Sequence, residues 1–149
     1  MTLSWADKKI LSQVRMTKAN EFLEDAKGNY REGRFKTSIN RSYYALLAAA
    51  RSILILEGAN PETHEGAVTM LSLKFIKTER LSVETVKKFK LLFSKRADAD
   101  YGDFDSADAV DAAEAIRMAG EAMEDIERLR VTLLQKDAPA VSATEDTIF

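Results

Sequence analysis

Residues 37–58 read TSINRSYYALLAAARSILILEG, and this stretch decides the fold. Ile39, Tyr43, Leu46, Leu47, Ala50, Ile53 and Leu54 recur at helical spacing and form an apolar face wider than one stripe. Such a helix must be covered by several neighbours. Thr37 or Ser38 is placed to cap its start, and Gly58, followed by Asn60 and Pro61, supplies the stop. The small side chains of Ala48, Ala49 and Ala50 let another backbone approach closely.

Outward from this segment, the same period recurs. A first helix spans about Ser4 to Gly33, capped by Ser4 and with a break near Arg15; Phe22, Ala26 and Tyr30 lie on one face. A short helix follows from about Glu65 to Lys77 behind Thr63. A fourth runs from Val83 to Arg96 behind Ser82, with Val86, Phe89, Leu92 and Phe93 as its stripe. Asp98 to Asp105 reads as an acidic turn around Gly102. Ser106 then opens an alanine-rich helix to about Leu134, with Asp108 and Asp111 favourably placed at its positive end. No segment alternates as a strand does. The expectation is an all-α, up-and-down bundle of about five helices in one domain over residues 1–135, with 136–149 a flexible tail.

The 149 residues are 46% hydrophobic and 31% charged, as in a soluble globular chain. There are no cysteines, which excludes disulfides, zinc-thiolate sites and thiol nucleophiles. His64 is the one histidine, so two-histidine metal sites within a chain are excluded. No phosphate-binding glycine loop or dinucleotide fingerprint occurs. Read as a calcium loop from Asp98, the sixth and twelfth positions hold Asp103 and Ala109 where glycine and glutamate are needed, so neither metal nor cofactor is expected. Without a membrane-length apolar run or a signal-peptide core at Met1 to Lys9, a cytoplasmic location is expected.

Charge is partitioned. Up to Arg96 there are 18 basic against 10 acidic residues, and from Ala97 onward 4 against 14, within a net charge of −2. The basic part can attract phosphates; equally, the two parts can pair within the fold. Two constellations carry chemistry. Asn40-Arg41-Ser42-Tyr43-Tyr44-Ala45 puts a cation and two phenols on the most buried helix. Arg96-Ala97-Asp98-Ala99-Asp100-Tyr101 places Arg96 on the inward stripe of Phe89 and Phe93, where a guanidinium needs an acid or a phosphate.

These two blocks, with Pro61-Glu62-Thr63-His64-Glu65-Gly66 between them, resemble in order and spacing the HEPN-domain proteins (higher eukaryotes and prokaryotes nucleotide-binding), in particular their small stand-alone prokaryotic branch. The resemblance covers about Met16 to Leu134. It implies a helical bundle, usually a homodimer, often encoded beside a minimal nucleotidyltransferase in toxin–antitoxin or defence-type pairs. Catalytic HEPN proteins are metal-independent ribonucleases that carry an arginine and, a few residues on, a histidine. Arg96 matches the arginine; Asp100 or Tyr101 stands where the histidine belongs.

The resemblance therefore assigns Arg96 and Tyr101 as the catalytic pair, Tyr101 also as an acceptor of a nucleotidyl group. Arg41, Tyr43, Tyr44, His64 and Asp100 would line a nucleotide- or RNA-binding groove. The alternatives are an active ribonuclease, with His64 or Tyr101 moving protons, and a non-catalytic dimeric scaffold. Small and apolar residues on more than one stripe, Ala45, Ala48 and Ala49 together with Ala112, Ala115 and Ala119, point to a two-fold dimer.

Overall fold

The computed structural model describes residues 2–102 and 107–143, the last eight of these as backbone only. Five α-helices, and no strand, occur among them: α1 (Trp5–Arg31), α2 (Phe35–Leu54), α3 (His64–Leu71), α4 (Val83–Tyr101) and α5 (Ala109–Ala143). A 3-10 turn, Ile55–Glu57, follows α2, and a π-helical turn, Ser72–Ile76, follows α3. No helix among the described residues is long and apolar enough to cross a membrane.

The helix starts follow their caps. Ser4 Oγ accepts from the Asp7 amide at 3.0 Å, Thr63 Oγ1 from Gly66 at 3.0 Å and Ser82 Oγ from Glu84 at 3.1 Å. Asp108 and Asp111 cap α5 reciprocally: each carboxylate accepts from the other's amide, at 2.9 and 3.2 Å. Gly33 and Gly58 take φ of +78° and +81° where the chain leaves α1 and α2, a left-handed geometry that disfavours side chains. The short turn at Gly33 makes α1 and α2 antiparallel neighbours.

Helix α2 is the centre. It packs on α1, α5, α4 and α3, and twelve of its side chains are buried. Ser38 does not cap it; α2 begins earlier, at Phe35, and the Ser38 hydroxyl donates instead to the Ala26 carbonyl at 2.8 Å inside the core. The alanines that suggested a dimer face, Ala45, Ala48, Ala49, Ala112, Ala115 and Ala119, are all buried within one chain. They carry no surplus surface for a partner.

Three boundaries differ from expectation. Helix α1 runs unbroken through Arg15, since nothing there lacks a backbone donor. Helix α4 continues past Asp98 to Tyr101, with Ala99 buried on its inner side. Helix α5 continues to Ala143 rather than ending near Leu134, although Pro139 within this last stretch has no backbone N–H to donate. Part of the expected tail is thus helical backbone; residues 144–149 lie outside the described residues, as do Asp103, Asp105 and Ser106.

Phe89 is 1% exposed at the centre of this packing. Phe89→Ala is expected to cost about 3–5 kcal/mol in denaturant unfolding, through lost contacts and the cavity left behind. Leu91→Ala, two residues along the same helix but 53% exposed, should stay within about 0.5 kcal/mol.

Candidate functional site

Phe89, Phe93 and Arg96 follow one face of α4, and Tyr43 and Tyr44 meet them from α2. His64, the first residue of α3, is held there because Thr63 caps that helix. The imidazole stacks on Phe93 with ring centroids 3.9 Å apart and planes at 15°, and meets Phe89 edge-on at 4.7 Å. Its Nδ1 lies 3.0 Å from the Tyr43 hydroxyl. Tyr43 in turn stacks on Phe89 at 5.8 Å.

Arg96 passes over these rings. Its guanidinium carbon is 4.9, 5.7 and 5.2 Å from the ring centroids of Tyr43, Tyr44 and Phe93. The side chain is 13% exposed, its one carboxylate partner is Asp100 at 3.7 Å, and its buried Nε has no hydrogen-bond partner among the described residues. Asp100 also accepts from Asn40 Nδ2 at 3.0 Å, Asn40 Oδ1 accepts from Arg41 at 3.3 Å, and Arg41 lies over the Phe22 ring at 5.8 Å.

The enclosure sets the protonation states. Burial pushes the Tyr43 phenol up to about 12, with Arg96 pulling the other way, so Tyr43 keeps its proton. Burial lowers the His64 pKa, Glu65 opposes this, and the positive charges of Arg96 and Lys90 lower it further. His64 is therefore neutral at pH 7. The Tyr43 hydroxyl and His64 Nδ1 share one hydrogen bond, whose donor is set by the tautomer of the neutral ring.

The structure brings together six of the seven residues singled out in the sequence: Arg41, Tyr43, Tyr44, His64, Arg96 and Asp100. Tyr101 stands apart. Because α4 does not unwind after Asp98, Tyr101 sits about 140° around the helix from Arg96 and is 77% exposed. Sequence reading missed Phe93 as the plate under His64. The spacing of Phe93 to Arg96 was visible, but no local signal joined residue 64 to that face. Nor was Asn40 recognised as the link between Arg41 and Asp100. Among the described residues, no cluster of acids and histidine is arranged to hold a metal ion.

With its folded pKa below the unfolded value of about 6.5, His64 binds its proton less well when folded. Protonation thus favours the unfolded chain, and stability falls as pH drops from about 7 towards the folded pKa. His64→Asn should flatten this part of the stability curve, measured by denaturant unfolding between about pH 7.5 and 5.5. An unchanged slope in the variant would assign it to other groups.

A family model described as the HEPN domain matches residues 12–129. A UPF0332 protein of Thermotoga maritima is 30% identical over 112 residues, covering 75% of this chain and 85% of its own length. A Methanocaldococcus jannaschii protein bearing the name "Putative toxin MJ0142" is 30% identical over 84 residues, which are 56% of this chain and 57% of that relative. A UPF0332 protein of Archaeoglobus fulgidus is 28% identical over 90 residues, 60% of this chain and 71% of its own. The family match takes in α2, α3 and α4 whole, with every residue of the aromatic and arginine cluster, and on that extent the chain belongs to the HEPN-domain family.

Proposed function

We propose that this HEPN protein is the toxin-type member of a two-protein pair, and that it holds RNA or nucleotide phosphate at the Arg96 corner. The toxin reading draws on the names of its relatives in Methanocaldococcus jannaschii. The phosphate reading is carried by one observation: a mostly buried guanidinium, seated on three rings, whose Nε lacks a partner and whose nearest carboxylate is 3.7 Å away. A phosphate answers that deficit with short, charge-assisted hydrogen bonds. A minimal nucleotidyltransferase as partner and a two-fold homodimer are part of the same proposal, drawn from the family resemblance.

The competing structural reading makes Arg96 a partner for Asp100. Asp100, however, keeps Asn40 as a donor when Arg96 is removed, so no carboxylate is stranded. Arg96→Gln is accordingly expected to cost no more than about 1–2 kcal/mol in thermal unfolding while reducing binding of RNA or nucleotide at least about tenfold. A variant destabilised by about 3 kcal/mol or more, with wild-type protein binding neither ligand, would make Arg96 structural.

A ribonuclease reading has one specific support: His64 is neutral, next to Arg96, and able to exchange a proton with a ribose hydroxyl or leaving oxygen. Mixed RNA incubated with metal-free wild-type protein would then shorten, and His64→Ala would stop it. Intact RNA beside measurable binding leaves the non-catalytic module. For the dimer, light scattering at micromolar concentration should give twice the chain mass of 16.6 kDa; a monomer mass would reject it.

A further inference from the structure

Between Asn40 and Leu54, every α2 side chain is buried except Asn40, Arg41, Tyr44, Leu47 and Arg51, which are half-exposed. These positions form one narrow strip along the helix. Arg41 and Tyr44 belong to the Arg96 corner. Arg51 lies about 10 Å further along the helix axis from Tyr44, two turns on and on the same face.

Arg51 is not alone there. Arg15 reaches it from α1, donating to the Arg51 carbonyl at 3.4 Å and to Asn60 Oδ1 at 2.9 Å. Arg51 donates to the Pro61 carbonyl at 3.1 Å and to the same Asn60 oxygen at 3.3 Å. Two guanidiniums thus converge on one amide oxygen. All four hydrogen bonds go to neutral oxygens, and they use fewer than half of the N–H groups the pair carries. Among the described residues neither arginine has an ion pair, although most arginines of this chain have one. Burial lowers the Arg15 pKa, and the neighbouring charge of Arg51 lowers it further. The Lys8 ammonium lies beside Gly58 in the same connection.

The connection from α2 to α3 joins this pair to the first corner. Pro61 carries the carbonyl held by Arg51, and three residues later His64 stacks on Phe93, a separation of at most about 11 Å along the chain. The like-charged pair and the Arg96 corner therefore sit at neighbouring points of one accessible strip.

We propose that this strip is a track for a single RNA strand, with Arg15 and Arg51 holding one backbone phosphate and Arg96 another. Leu47, half-exposed between them, offers apolar surface to a base or sugar. The proposal rests on the reading of Arg96 as a phosphate-binding group and extends it from a mononucleotide to a strand. A structural alternative is that the two arginines only pin the connection at Asn60 and Pro61.

The test is fluorescence anisotropy of the full chain with a labelled oligouridylate of about ten nucleotides over a range of salt concentrations, beside calorimetric titration with UMP. Variants are Arg15→Gln/Arg51→Gln, Arg15→Gln alone (which leaves the Arg51–Pro61 bond), and Arg96→Gln. The double variant should bind the oligomer about tenfold more weakly, with a salt slope shallower by about 0.7 per lost phosphate contact, and bind UMP as wild type does. The single variant should shift the same way with helicity intact. An unchanged salt slope in the folded Arg15 and Arg15/Arg51 variants, or no oligomer binding by wild-type protein, overturns the track. If Arg96→Gln leaves the slope unchanged while the arginine-pair variants reduce it, the Arg96 reading fails and the Arg15–Arg51 phosphate site stands without it.

Discussion

The fold is organised by the burial of α2, on which α1, α4 and α5 all pack. Ala45, Ala48 and Ala49 on α2, and Ala112, Ala115, Ala119 and Ala122 on α5, are buried, and the two helices pack on each other. Close backbones gain dispersion contacts that larger side chains would hold apart. With α5 on one side and α1 and α4 on others, α2 loses solvent almost all round. Its buried serines then have to bond to backbone carbonyls, as Ser38 does to Ala26 and Ser42 to Ser38.

The candidate site is a product of that burial. Tyr43 is part of the core, yet its hydroxyl emerges beside His64, and the rings of Phe89 and Phe93 continue the core outward to Arg96. A guanidinium resting on aromatic faces is oriented without being neutralised, because the rings offer a quadrupole and no proton acceptor. An arginine bound bidentately by a carboxylate would have that charge already answered. Asp100 at 3.7 Å steadies Arg96 while Asn40 shares the same carboxylate.

Much of the fold was legible because its signals are local. Ser4, Thr63 and Ser82 announced three helix starts through oxygen acceptors of fixed reach, and Gly58 announced an exit. What was not legible depended on contacts distant in sequence. Ser38 looks like a cap until Ala26 supplies a carbonyl twelve residues back. The alanine stripes looked like surplus surface because nothing in a helix's own sequence reveals which neighbours in the same chain cover it. Within the site, Arg96 was conspicuous as a cation on an apolar stripe, and Tyr43 as a phenol on a buried helix. That His64 stacks on Phe93 depends on the course of the α2–α3 connection, which no periodicity encodes. Tyr101 was misplaced for a simpler reason: acidic residues were taken to end α4, whereas the buried Ala99 keeps it helical.

One further feature lay outside sequence reading altogether. Arg130 on α5 is 6% exposed and donates to Ser12, Gln13 and Glu127, at 3.1, 2.9 and 2.9 Å. Two of these partners are on α1, more than a hundred residues earlier in the chain. The α1–α2 hairpin involves only neighbouring segments and can form while the ribosome is still at work. The Arg130 seam cannot close until α5 has been synthesised, and loop-closure entropy must be met before its hydrogen bonds are gained. Synthesis order therefore leaves α2 with its α5 side uncovered in the nascent chain. Completion of the buried core, and with it the support beneath the Arg96 corner, is timed by the emergence of α5 from the ribosome.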